Sequence, residues 1–205
     1  MKNIIKLFFI LSLLTISNGA LKAQQNISLS LIGPGFDFGD KENSAIYLTM
    51  PGKDKAFVLE PGVRFGAEVY GNPATSFKFS QSVRYDSMHK LAFSTQIMIR
   101  LRLFQVYKHS MSFGFGPTAF YRQTWAKIDG YTDEKVYETK NDSKFQTKIN
   151  WVSAELEYNY YISKLNDLSF SVIHLQPEAI GFALGFKHWF TRKSSHCNTC
   201  PSFRN

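Results

Sequence analysis

The chain has 205 residues, 44% of them hydrophobic and 20% charged, with a formal net charge of +8. That length suits one domain, and basic residues scattered among strand-like segments, with no clustered patch, argue against nucleic acid as a partner. Beyond the first residues no apolar run approaches the roughly twenty needed for a membrane-crossing helix, so any insertion into lipid would have to come from strands.

The N-terminus reads as a secretory signal peptide. Lys2 and Lys6 flank a basic start, Leu7 to Ile16 is apolar, and Leu21-Lys22-Ala23 offers a cleavage site near Ala23. An anchor that stays attached is the alternative, though the apolar run is short for it. Removing residues 1–23 takes away Lys2, Lys6 and Lys22, leaving 21 basic residues against 16 acidic ones, a balance of +5.

Asn26 to Ile32 alternates Ile27, Leu29 and Leu31 with serines, and Gly33-Pro34-Gly35 is expected to stop it. The connection to Pro61 contains a candidate small hairpin, Ala45 to Met50 and Ala56 to Leu59, turned at Pro51-Gly52. Val63 to Tyr70 and Ser76 to Tyr85 alternate on either side of the Gly71-Asn72-Pro73-Ala74 turn, with Gln81 the one polar residue on the apolar side of the second. Leu91 to Leu103 sorts Leu, Phe and Ile onto one face and Ser, Gln and Arg onto the other, which a helix of this sequence would not do.

In the next segment Met111, Phe113, Phe115 and Tyr121 oppose Ser112, Gly114, Gly116, Thr118 and Arg122, and Pro117 predicts a bulge or kink. Trp125 to Phe145 is polar and reads as a loop. Val152 to Ile162, Leu168 to His174 and Glu178 to Phe190 complete the series. In the last, Ile180, Phe182, Leu184 and Phe186 share one face, and Ala179, Gly181, Ala183, Gly185 and Lys187 the other.

Eight strands are therefore expected, near 26–32, 62–70, 75–85, 91–104, 110–123, 147–162, 168–175 and 178–190, with ten if residues 45–59 join the sheet. The two long connections, 33–61 and 124–146, fall at one end and the opposite end has only short turns, as in outer-membrane barrels. A greasy, bulky face opposite a small, polar one suits lipid outside and a crowded interior. The expected fold is an all-β, eight-stranded antiparallel up-and-down transmembrane barrel over residues 24–190, followed by a basic tail, 191–205. A soluble lipocalin-like barrel is the rival, because alternation alone does not say which face is inside.

On the small, polar face the strands carry Arg64, Lys78, Arg84, Arg100, Arg102, Arg122 and Lys187 against Glu68, Glu155 and Glu157. Such groups are costly in hydrocarbon, so they are expected to point inward and pair. Lys78, Arg100, Arg102 and Lys187 should share the short-turn half with the glutamates, and Glu68 should face Lys78 across the Asn72-Pro73 turn. An eight-stranded barrel is just wide enough to be filled by such side chains, which predicts a salt-bridged plug and no open pore.

The signal-like start, the eight alternating segments and a last strand bearing Gly185, Phe186, His188 and Phe190 resemble the small outer-membrane β-barrel proteins of Gram-negative bacteria. That resemblance implies an outer-membrane location, contact with its lipid, and insertion by the barrel-assembly machinery, which reads the final strand. His188 and the tail after Phe190 depart from the pattern. Some barrels of this class modify lipid A, one through a His-x-Ser-Asn segment; here His174-Leu175-Gln176-Pro177-Glu178 has neither Ser nor Asn.

No catalytic residue, cofactor or metal ligand is assigned. Cys197-Asn198-Thr199-Cys200 falls short of a four-ligand zinc site, and in an oxidising periplasm a local Cys197–Cys200 disulfide is expected. The expected function is a non-enzymatic barrel whose external loops, chiefly 33–61 and 124–146 with Tyr47, Tyr131 and Tyr137, contact an extracellular protein partner or another envelope component, with the basic tail Arg192 to Asn205 a candidate docking segment for a periplasmic partner. A lipid-modifying enzyme and a small-solute pore are the alternatives.

Overall fold

The computed structural model describes residues 25–38, 57–126, 128–130, 137, 144–176 and 179–190. Its strands are β1 (Gln25–Asp37), β2 (Phe57–Tyr70), β3 (Thr75–Tyr85), β4 (Leu91–Val106), β5 (His109–Gln123), β6 (Phe145–Tyr161), β7 (Asn166–Gln176) and β8 (Ala179–Trp189). Each pairs antiparallel with the next, and β8 pairs back onto β1, so the sheet closes as an up-and-down barrel without a free edge. The turns β2–β3, β4–β5 and β6–β7 have four, two and four residues and lie at one end, while the long connections 38–56 and 124–144 lie at the other.

Two expectations at the long-loop end need correction. Gly33-Pro34-Gly35 does not stop β1. The strand continues through a register shift after Ile32, and Pro34, Gly35 and Phe36 pair with Leu59, Val58 and Phe57. The Phe57–Leu59 stretch is thus the start of β2 and no arm of a separate hairpin; residues 45–50 lie outside the described residues. Because β1 pairs β2 directly, the barrel closes with eight strands and leaves no place for ten. The physical reason is that glycine and proline mark a bulge as readily as a stop. At Gly35 a Cβ would stand 2.5 Å from the Ile180 carbonyl oxygen, so only glycine lets the two backbones pass.

The second bulge lies at Pro117. Gly116 pairs with Ser153 and Thr118 with Asn150, so Trp151 and Val152 together oppose Pro117. Both point outward, 75% and 74% exposed, and the inward series of β6 changes parity there. Gln146 is inward on one side of the bulge, and Ser153, Glu155 and Glu157 on the other.

Elsewhere the period of two holds. Leu29, Phe77, Ile99, Leu184 and Phe186 are exposed on the outer wall, while Ser28, Ser80, Arg64, Glu68 and Lys187 are buried inside. Small inward residues leave room for long charged ones to reach across a narrow lumen. At the short-turn end, Trp189 Nε1 donates to Asp167 Oδ2 at 2.7 Å and its ring lies 5.3 Å from that of Tyr70. At the long-loop end, beside β1, β7 and β8, the interior is instead apolar: Ile32, Ile173, Leu175, Ala179 and Ala183 pack together.

Candidate functional site

The inward faces of β2, β3, β4, β6 and β8 converge on one ionic cluster. Glu68 faces Arg100 Nη1 at 2.7 Å and Lys187 Nζ at 3.1 Å. Glu157 takes Lys78 at 2.7 Å, Arg100 at 2.9 Å and Lys187. Glu155 takes Lys78 at 2.6 Å and Arg64. Each carboxylate thus has at least two cationic partners, and all seven side chains are almost completely buried. Neutral donors complete the set. Ser76 Oγ and Asn26 Nδ2 donate to Glu68 at 2.5 and 3.1 Å, and Arg64 also donates to Gln96 and Ser80.

Glu68 and Lys78 are register partners across the β2–β3 turn, yet the Lys78 ammonium crosses the lumen to the β6 glutamates. Arg102 stands apart from the cluster. It is half-buried, its Nη1 donates to Gln105 at 2.6 Å, and its guanidinium lies 5.0 Å from the Tyr70 ring centroid.

The remaining arginines sit at the long-loop end in a different setting. Arg84 Nε donates to Glu60 Oε2 at 2.8 Å. Arg122 donates to Gln146 Oε1 at 2.9 Å, and its guanidinium lies between the Trp125 and Tyr137 rings at 3.6 and 3.8 Å. Trp125 Nε1 in turn donates to Asp86 Oδ2 at 2.8 Å, while Asp86 Oδ1 accepts from the Met88 and Lys90 backbone N–H groups. Burial pushes the Asp86 carboxyl above its ordinary value, against these donors.

Tyr137 was expected as an exposed loop contact and is corrected by this arrangement. It is only 6% exposed, because a buried guanidinium attracts an aromatic face. Tyr47 and Tyr131 lie outside the described residues, as do Cys197 and Cys200. His174 is on the outward side of β7, half-buried, and its Nδ1 has no hydrogen-bond partner among the described residues.

A buried seven-residue ionic cluster, with Glu60, Arg84 and Arg122 also buried, and an outer wall of exposed leucine, isoleucine, valine and phenylalanine reverse the arrangement of a water-soluble barrel. Only a hydrocarbon surround makes such a wall favourable, and only a closed barrel lets strands meet it without orphaned backbone groups. The fold is a closed eight-stranded β-barrel with an apolar outer wall and an ionic interior.

No protein-family model matches this barrel, and no curated protein does. Among solved structures it is similar to the N-terminal β-barrel domain of OprF from Pseudomonas aeruginosa, at 11% identity over 82% of this chain and 100% of that one, with a TM-score of 0.44. It is similar to Ail, the attachment invasion locus protein of Yersinia pestis, at 11% identity over 83% and 100%, TM-score 0.48. Neisserial surface protein A gives 10% identity over 83% and 99%, TM-score 0.49. At identities and scores this low, the fold rests on the barrel's own strands and faces.

Sequence reasoning missed Glu60, Asp86, Trp125 and Asp167. Glu60 was assigned to a loop, although its place two residues after Val58 and four before Arg64 continues the inward series of β2. Asp86 and Asp167 were given to connections as well, although they stand two residues after Arg84 and two before Ser169 and continue the inward series of β3 and β7; Trp125, past the end of β5, breaks the alternation and no periodicity marks it.

Proposed function

We propose that this is a non-enzymatic transmembrane barrel of a Gram-negative outer membrane, whose work is done by its long connections and not by its lumen. Residues 1–23 would be removed as a signal peptide, the barrel-assembly machinery would insert the chain, and residues 191–205 would stay in the periplasm with a Cys197–Cys200 disulfide. The observation that carries the reading is a lumen occupied at two levels. The ionic cluster fills the short-turn half, and the Arg122, Trp125 and Tyr137 stack fills the mouth. An interior committed to its own side chains offers no route for solute, so recognition falls to 38–56 and 124–144. His174, whose Nδ1 has no partner among the described residues, does not favour the enzymatic alternative.

The test is in two parts. Reconstituted in planar bilayers, the folded protein should give no unitary currents; steady single-channel steps would contradict the filled lumen. On intact cells, added trypsin should cut within 124–144, which carries Lys127, Lys135, Lys140 and Lys144. Protection there, with cleavage only after the outer membrane is broken, would contradict the orientation.

A further inference from the structure

One feature of the outer wall is not accounted for by contact with lipid alone. Gln81 of β3 and Thr95 of β4 are register partners, and both lie on the outward face, half-buried. Thr95 Oγ1 donates to Gln81 Oε1 at 2.6 Å. Around them the wall is apolar: Phe65 pairs with Gln81 on the β2 side, Ala119 pairs with Thr95 on the β5 side, and Phe79, Val83, Phe93 and Ile97 flank them along the strands. Gln81 is the seventh of the eleven residues of β3, near the middle of the crossing.

A side-chain amide has one acceptor oxygen and two N–H donors. The contact with Thr95 uses the oxygen and leaves the amide donors without a hydrogen-bond partner among the described residues, on a wall whose flanking side chains are apolar, which is costly in hydrocarbon. Among the outward residues of β1 and β8, Leu29, Leu31, Leu184 and Phe186 are apolar, and His188, near the end of β8, is hydrogen-bonded to Asn166 Oδ1 at 2.8 Å. The patch is also self-complementary. It presents amide donors beside two oxygens, the Thr95 hydroxyl and the Gln81 carbonyl, that retain acceptor capacity, and Ala119 leaves the surface shallow next to them.

We infer that a second copy of this chain docks on the β3–β4 face of the barrel through Gln81 and Thr95. In an isologous contact about a two-fold axis, each Gln81 amide donates to Thr95 or Gln81 of the partner subunit, and the reverse contact forms by symmetry. The surrounding Phe65, Phe79 and Val83 then pack against their counterparts and remove the same area from lipid. This inference rests on the lipid-facing outer wall and goes beyond the proposed role of the loops.

The test is sedimentation equilibrium of the whole folded protein in density-matched micelles, with heat-modifiable gel migration run first on each sample. Wild type should show a concentration-dependent dimer. Gln81→Leu should keep the heat-modifiable band and weaken association about threefold to tenfold, the scale of polar contacts between membrane segments. Leu184→Ala, on the far side, should leave association unchanged. Should Gln81→Leu not fold, Thr95→Val tests the same contact. A folded wild type that stays monomeric throughout, or a Gln81→Leu protein that dimerises as well as wild type, overturns the dimer while leaving the lipid-facing wall intact. A wild type with no heat-modifiable band overturns both.

Discussion

The two halves of the lumen solve the same problem in different ways. In the short-turn half, Glu68, Glu155 and Glu157 hold Arg64, Lys78, Arg100 and Lys187 by contacts that cross the barrel, so each depends on several strands being in register at once. At the mouth, Arg84 meets Glu60 on the neighbouring strand, and Arg122 meets two aromatic rings from the adjoining connection. The first set can form only in a closed cylinder. The second is local and depends on where the β5–β6 connection lies. Charge burial therefore fastens the barrel at one end and fastens a loop to the barrel at the other.

The largest effect should come from breaking the crossing cluster. Glu157→Gln removes the charge that three cations share and leaves them buried without it. It should lower the unfolding free energy by about 3–5 kcal/mol, read from urea titrations of the protein in lipid vesicles. If the loss were under about 1 kcal/mol, the cluster would not be what ties the strands together.

A smaller effect is expected at the mouth. Arg122→Ala removes a guanidinium stacked between two rings, worth about 2 kcal/mol when desolvated, and should free the β5–β6 connection. Trypsin cleavage there should quicken while the heat-modifiable band is kept. Planar bilayers should stay silent, since the ionic cluster still fills the other half. A loss as large as that of Glu157→Gln would erase the distinction between the two ends.

The smallest effect separates the mouth by pH. Trp125→Phe deletes the indole donor to Asp86, a loss of about 1 kcal/mol at neutral pH. That donor favours the ionised carboxylate against the burial that disfavours it, so its removal raises the folded-state pKa of Asp86 further. Below the unfolded carboxylate range, near 4, both states hold the proton and this part of the deficit vanishes. It should grow as pH rises through the acidic range and then level off. A deficit that does not change with pH would mean that Asp86 and Trp125 are not coupled.

Much of the barrel was legible in the sequence because its period of two is enforced by a sharp contrast between lipid and a crowded lumen. Ile180, Phe182, Leu184 and Phe186 against Gly181, Ala183, Gly185 and Lys187 identify both the strand and its faces. Pro117 marked a bulge for the same reason, as it removes a ladder donor. Strand ends were not legible where glycine and proline could signal either outcome, so Gly33-Pro34-Gly35 read as a stop and Phe57–Leu59 as a separate arm. Ion partners were legible only as a set. Register placed Lys78 opposite Glu68, but a lysine long enough to cross the lumen found Glu155 and Glu157. The Arg122–Tyr137 contact had no local signal, because it joins a strand to a polar connection whose residues follow no repeat.

Which wall of the cylinder meets lipid is measured most directly by a spin-label scan along β8 in bilayers. Labels at Phe182, Leu184 and Phe186 should collide strongly with oxygen and weakly with a water-soluble nickel chelate, while those at the inward Ala179 and Ala183 should be shielded from oxygen. High nickel accessibility at Phe182, Leu184 and Phe186, or the loss of any two-residue alternation, would contradict a lipid-facing outer wall.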